Sequence, residues 1–111
     1  MAYSKYRAVK TVIDGITFDS KAEAKRYEIL KKLVDDKAIT HLQLQRKFEL
    51  ISSKVRDDGK KERPVYYVAD FSYVKDGALI VEDVKGIRLP VYVLKRKLML
   101  SRYSITIKEI S

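Results

Sequence analysis

The chain has 111 residues, 46% of them apolar, with 24 lysines and arginines against 15 aspartates and glutamates, a formal charge of +9. It has no cysteine, which excludes disulfides, thiolate metal sites and cysteine nucleophiles. No apolar run reaches the length of a membrane span and the start lacks a signal-peptide core, so a soluble cytoplasmic protein is expected. The length suits one domain, 1–111, burying roughly two-thirds of its unfolded surface. A pI near 9.7 favours a polyanionic partner, nucleic acid before an anionic membrane.

Residues 1–9 open with a polar, basic stretch from Met1 to Arg7 and read as a loose basic arm. Lys10 to Ile13 and Ile16 to Phe18 flank Asp14-Gly15, the signal of a small hairpin. A helix is predicted from Ser20 to Asp35, opened by the capping box Ser20-Lys21-Ala22-Glu23, with Tyr27, Leu30 and Val34 as an apolar stripe that Ile29 and Leu33 widen. Ala38 to Leu42 is a connection. Leu44 to Val55 is the first strand of the main sheet, and Arg56 to Arg63 is a charged turn.

Val65 to Val74 and Ala78 to Lys85 then form a hairpin around Asp76-Gly77. The second of these strands is apolar on both faces apart from Glu82, Asp83 and Lys85, which places it centrally in the sheet. Gly86 ends it. Pro90 suits the first turn of a second helix reaching Arg102, with Leu94, Leu98 and Ser101 on one face. Ser104 to Lys108 is a final strand. The expected architecture is α/β, a mixed sheet flanked by helices in the order helix, three strands, helix, strand.

The hairpin turn fixes a register in which Lys75 faces Ala78, Tyr73 faces Ile80 and Asp70 faces Asp83. Opposed residues share a face, as do residues two apart, so Asp70, Asp83 and Lys85 cluster. Opposed carboxylates repel, and a divalent cation between them would relieve the repulsion. Magnesium commonly takes one or two carboxylates together with water and phosphate. Such an ion activates water and stabilises a scissile phosphate, and Lys85 could position the water or offset developing charge. The bland reading is that Lys85 only neutralises Asp83. Glu23 shares the inward stripe of the first helix and could reach the same ion, or it could only cap its own helix.

The order of a helix glutamate, then an aspartate, then Asp-x-Lys on a hairpin, then a helix resembles the PD-(D/E)XK nuclease superfamily. More narrowly the chain resembles a family of small phage-encoded proteins in it, known only as a domain of unknown function. The matching pieces are Asp14-Gly15-Ile16-Thr17-Phe18-Asp19-Ser20-Lys21-Ala22-Glu23-Ala24, Leu44 to Leu50, Tyr67-Val68-Ala69-Asp70-Phe71 and Val81-Glu82-Asp83-Val84-Lys85-Gly86. Ala69 stands where the superfamily name has proline, and Asp83 takes the usual glutamate's place. The resemblance implies a three-layer, restriction-endonuclease-like fold and metal-dependent cleavage of DNA. It also implies Glu23, Asp70 and Asp83 as the metal-side acids and Lys85 as the catalytic lysine.

Other residues carry lesser expectations. Glu82 points to the opposite face and reads as structural. Gln45 could contact substrate or a metal's water, although a partly exposed strand glutamine is the default. His41, the only histidine, lies on a loop without a histidine partner and is not assigned to catalysis. Lys95, Arg96 and Lys97 are basic positions on the second helix; a solvated face is the default, and phosphate contact is the functional reading. Lys54, Arg56, Lys60, Lys61 and Arg63 could grip a DNA backbone from the charged turn. The eight tyrosines could stack on unpaired bases, although Tyr27, Tyr67 and Tyr73 read as core or half-buried.

The expected function is thus a magnesium- or manganese-dependent DNA endonuclease. With no separate recognition module, it would select branched or otherwise structured DNA rather than sequence. The superfamily includes Holliday-junction resolvases of similar size that act as homodimers, so a homodimer serving phage replication or recombination in a bacterial host is expected. The alternative is a non-catalytic DNA-binding or scaffold protein on the same fold; a metal-stabilised hairpin with no DNA role fits the charge less well.

Overall fold

The computed structural model describes residues 9–111, so the expected arm lies outside the described residues except for Val9. Strands β1 (Thr11–Ile13) and β2 (Ile16–Phe18) pair antiparallel through Asp14 and Gly15, whose φ angles of 53° and 76° suit the primed turns of tight hairpins. Helix α1 (Lys21–Asp35) starts at Ser20, whose hydroxyl accepts the Glu23 N–H at 3.1 Å. That is one half of the capping box; among the described residues the Glu23 carboxylate makes no return bond to Ser20. Lys37, at φ 60°, ends the helix with bonds back to Val34 and Leu33 passing through it and Ala38.

The main sheet has the order β3 (Thr40–Ile51), β6 (Val65–Lys75), β7 (Ala78–Val84), β8 (Lys108–Ile110). The first three strands run antiparallel and β8 runs parallel to β7. Strand β7 is central, as its apolar character on both faces predicted. A parallel neighbour needs a crossover, and helix α2 (Pro90–Tyr103) supplies it.

Three boundaries differ from the expectation. The first sheet strand begins at Thr40 and ends at Ile51, so the supposed connection, including His41, belongs to it. A register shift between Thr40 and Gln43, with His41 at φ 56°, accommodates this start. Lys54 and Val55, expected at the end of that strand, instead form β4 (Lys54–Val55), which pairs with β5 (Lys61–Glu62) of the charged turn in a separate two-stranded ribbon. The last strand is Lys108–Ile110, because Ser104 takes a left-handed cap that closes α2.

Two apolar cores flank the sheet. Phe18, Tyr27, Leu30, Ile39, Phe71 and Tyr73 form the first, under α1. Phe48, Tyr67, Ala69, Val81, Tyr92 and Met99 form the second, under α2. On β7, Ile80 and Val84 join the first core while Leu79 and Val81 join the second. Successive strand residues face opposite ways, so the helices cover opposite faces of the sheet. On α2 the buried residues are Tyr92 and Met99, while Leu94 and Ser101 are exposed; of the expected face only Leu98 packs against the core. No helix among the described residues is long and apolar enough to cross a membrane.

One buried ion pair ties α1 to β7. Glu82 is 0% exposed. Its carboxylate receives both Arg26 Nε at 2.8 Å and Arg26 Nη2 at 2.6 Å, and the Tyr73 hydroxyl bonds it as well. Arg26→Ala leaves this charge buried with the tyrosine alone and is expected to cost about 3–5 kcal/mol in urea unfolding. Replacing both partners, Arg26→Met with Glu82→Leu, is expected to cost far less, because no buried charge remains. Equal losses in the two proteins would show that packing of the arginine stem, not charge pairing, carries the effect.

Candidate active site

The β6–β7 ladder runs from Lys75↔Ala78 to Phe71↔Glu82 and stops. The next residues in register are Asp70 and Asp83. Beyond them β6 continues beside β3, and Glu82 to Val84 pair with β8. Asp70 takes over from the ladder: its Oδ2 accepts the Val84 N–H at 2.8 Å. An open cleft of about 340 Å³ lies at this parting, lined by Asp70, Asp83, Lys85, Tyr67, Tyr92 and Lys95 among others.

The expected cluster of Asp70, Asp83 and Lys85 is therefore present. Asp83 is 3% exposed and Asp70 is half-buried, and the hairpin register sets the two side by side. Lys85 Nζ is 3.3 Å from Asp83 Oδ2. Burial, reinforced by the hydrogen bond and charge of Asp83, pushes the Asp70 carboxyl up to about 8, against the opposing effect of the Val84 N–H. Glu23, half-buried in the first turn of α1, is also raised, first by burial and then by the charges of Asp19 and Asp83, with Lys85 opposing. It is thus in electrostatic range of the pair. Among the described residues, however, no group of three or more carboxylate or histidine side chains is close enough to hold one metal ion. Asp70 and Asp83 are the pair that the fold brings together. Two carboxylates suit magnesium, whose remaining positions are commonly filled by water and phosphate oxygens.

Two tyrosines support this pair: Tyr67, expected only as a core or half-buried residue, and Tyr92, to which the sequence assigns no role. The Tyr67 hydroxyl donates to Asp83 Oδ2 at 2.9 Å, and burial followed by the Asp83 charge raises it far above the ordinary phenol value. The Lys85 ammonium sits 4.4 Å from the centroid of the Tyr92 ring, an attractive cation–π distance. Tyr92 donates to Glu109 at 2.6 Å, and Arg88 and Arg96 bond the same carboxylate at 2.8 and 2.9 Å. Those three hydrogen bonds lower the Glu109 carboxyl to about 2. Glu109 faces Asp83 across the parallel β7–β8 pair. These links join residues far apart in the chain, and no local motif announces them.

The expected DNA-contacting residues are dispersed. Lys95 lines the cleft. Arg96 is engaged by Glu109, and Lys97 is exposed. Lys60, Lys61 and Arg63 are exposed at or beside the β4–β5 ribbon. Gln45 is exposed on β3, between the pairs Leu44↔Phe71 and Arg46↔Ala69, so the register sets it opposite Asp70. Its φ of 56° is uncommon for a residue other than glycine. The strands change cores here: Leu44 and Phe71 pack in the first, Phe48 and Ala69 in the second. Gln45 thus marks the bend where the acid pair sits. His41 lies in a second depression with Gln43 and Arg46, away from the acids.

The raised Asp70 carboxyl has a stability consequence in cation-free buffer. Its folded pKa lies above the unfolded value of 3.8, so the unfolded chain releases this proton first. Its contribution to stability is full below the unfolded value and is lost as pH rises towards about 8. Asn at this position could still accept the Val84 N–H and donate to Asp83 without titrating. Asp70→Asn is therefore expected to be more stable than wild type by more than about 1 kcal/mol at pH above 8 in EDTA, with the advantage gone near pH 4. Parallel pH–Tm curves for the two proteins would contradict the assignment.

A family model described as "Protein of unknown function (DUF1064)" matches residues 3–109. No curated protein and no solved structure matches the chain.

Proposed function

The chain belongs to this family of unknown function, and we propose that it is a magnesium- or manganese-dependent DNA endonuclease of the PD-(D/E)XK type. The observation that carries the reading is the pair Asp70–Asp83, shielded in a cleft with Lys85 3.3 Å from Asp83. Such a pair on a basic chain suits a hard cation and a phosphodiester better than it suits simple DNA binding. The order α1, β3, β6, β7, α2, β8, with helices on both faces, supports the restriction-endonuclease-like fold.

Asp70 and Asp83 would hold the ion, which, once bound, supplies positive charge to the scissile phosphate and makes an attacking water more acidic. The remaining roles fall to the chain's own groups. Tyr67 and Lys85 both engage Asp83 Oδ2 and fix the carboxylate's orientation, which directs Oδ1 to other partners. The Lys85 ammonium, steadied over Tyr92, offsets negative charge on the phosphate or orients the water. Glu23 adds negative charge within electrostatic range of the pair from α1. Lys95 contacts a neighbouring phosphate, and Lys97, Lys60, Lys61 and Arg63 hold the DNA backbone further out. Backbone contacts of this kind favour recognition of DNA shape, such as a Holliday junction or flap. A junction requires two symmetric cuts, which a two-fold homodimer in the host cytoplasm would make.

Cleavage of labelled junction, flap, single-stranded and duplex DNA, each with magnesium, manganese or EDTA, tests this. Wild type is expected to cut in either cation and not in EDTA. Asp83→Asn and Lys85→Ala are each expected to lose about 100-fold or more in rate. Tight binding without cutting in either cation would instead favour a non-catalytic DNA-binding protein.

Magnesium is also expected to raise the melting temperature of wild type but not of Asp83→Asn. The stabilisation should reach about 2.7 kcal/mol at a hundredfold excess over Kd. An equal response in both proteins would place the ion elsewhere.

A further inference from the structure

The cleft has an apolar side that the proposed chemistry does not use. Leu89 and Val91 are 60% and 65% exposed, yet both line the cleft that holds Asp70 and Asp83. Val68, also exposed, lines it from β6. Leu94, three residues after Val91, continues the exposed stripe along α2. Single exposed apolar residues are ordinary, but three lining one cleft, with a fourth one helical turn further along α2, are a mark of contact.

The fold gives these residues little purpose. Leu89 is the N-cap of α2 and makes no side-chain capping bond, at a position where Ser, Thr, Asp or Asn stabilise a helix and Leu does not. Val91 lies in a first turn that contains no acid, although an acid there would favour the helix dipole. Both positions favour an exposed apolar surface over helix stability.

Charge and position select the occupant. Lys85 and Lys95 line the same cleft, so whatever rests on the apolar side meets cations at its edge. An apolar protein segment gains nothing from those cations and would lie across Asp70 and Asp83. An unstacked nucleobase offers a flat apolar face attached to its own phosphate, which matches both features. We propose that Val68, Leu89, Val91 and Leu94 form a lip that receives unstacked bases beside the scissile phosphate, so that the protein selects DNA with unpaired nucleotides at the cleft. The proposal rests on the nuclease reading for the location of that phosphate, and it adds which DNA structures the site admits.

Binding without cleavage tests the lip separately from the chemistry. In EDTA, fluorescence anisotropy compares the full chain on a fully paired duplex and on a duplex with one splayed end, matched in length and charge. Wild type is expected to bind the splayed DNA about tenfold tighter or more, and Leu89→Ser with Val91→Ser to bring the ratio within about twofold of one. A double variant that keeps the wild-type ratio, or a wild type that binds both DNAs equally, overturns the lip. So does a double variant whose sole change is loss of a dimer in sedimentation, since the patch is then a contact between copies. Should the double variant fail to fold, 2-aminopurine at the first unpaired position decides: a fluorescence change on binding wild type supports the lip, and no change overturns it. Magnesium-dependent cutting alongside an unchanged binding ratio would remove the lip and leave the nuclease reading standing. A lost ratio in the double variant with no cutting by wild type would do the reverse.

Discussion

Asp76 and Gly77 have φ angles of 50° and 78°, the left-handed pair that a tight hairpin between right-twisted strands requires. Those two residues set the register of β6 on β7, and the rest of the site follows from that register. With Phe71 against Glu82, the next position brings Asp70 to Asp83. A slip of one residue would turn the carboxylates to opposite faces and send Glu82 towards the α2 side, away from Arg26. The turn is thus a local feature with a distant effect, because strand geometry transmits register without loss over the intervening pairs.

The same register separates two adjacent acids. Glu82 and Asp83 point to opposite sides of β7, so the fold can neutralise one completely and keep the other for use. Glu82 is closed by Arg26 and Tyr73 in the α1 layer. Arg26 lies three residues after Glu23, close to one helical turn, so the ion pair that anchors α1 also sets how near Glu23 comes to Asp83. Packing and site geometry are therefore coupled through a single helix turn. Loss of the anchor would loosen the acidic side of the cleft even if the sheet survived.

The sequence made visible what depends on short-range chemistry. Both Asp-Gly turns, the Ser20 cap, the central position of β7 and the grouping of Asp70, Asp83 and Lys85 follow from local patterns with a fixed period. The start of β3 is not legible in the sequence because His41 adopts a left-handed backbone at a register shift, which its side chain does not advertise. The buried face of α2 differs from the expected one because Leu94 and Ser101 are exposed, while Tyr92 and Met99, which no apolar stripe with Leu94 includes, carry the packing. Tyr67 and Glu109 could not be linked to the acids from sequence. Their contacts cross between strands and helix, and tyrosine in a strand is ordinary.

The supporting groups around the acids explain how a stable fold tolerates an unfavourable pair. Each engages a different oxygen or neighbour: the Val84 N–H on Asp70, the Tyr67 hydroxyl and Lys85 on Asp83, and Tyr92 beneath Lys85. None removes the central tension, because burial still drives a proton onto Asp70 when no cation is present. A hydrophobic pair would have been more stable at this place, and a lone aspartate could have bonded Val84 equally well. The arrangement suits a pair that would hold either a proton or, on the proposed reading, a cation, with Tyr67, Lys85 and the Val84 N–H keeping the carboxylates aligned in both cases. On that argument Tyr67 and Tyr92 belong to the site as much as the acids do, since they hold Asp83 and Lys85 in place whichever partner the pair has taken.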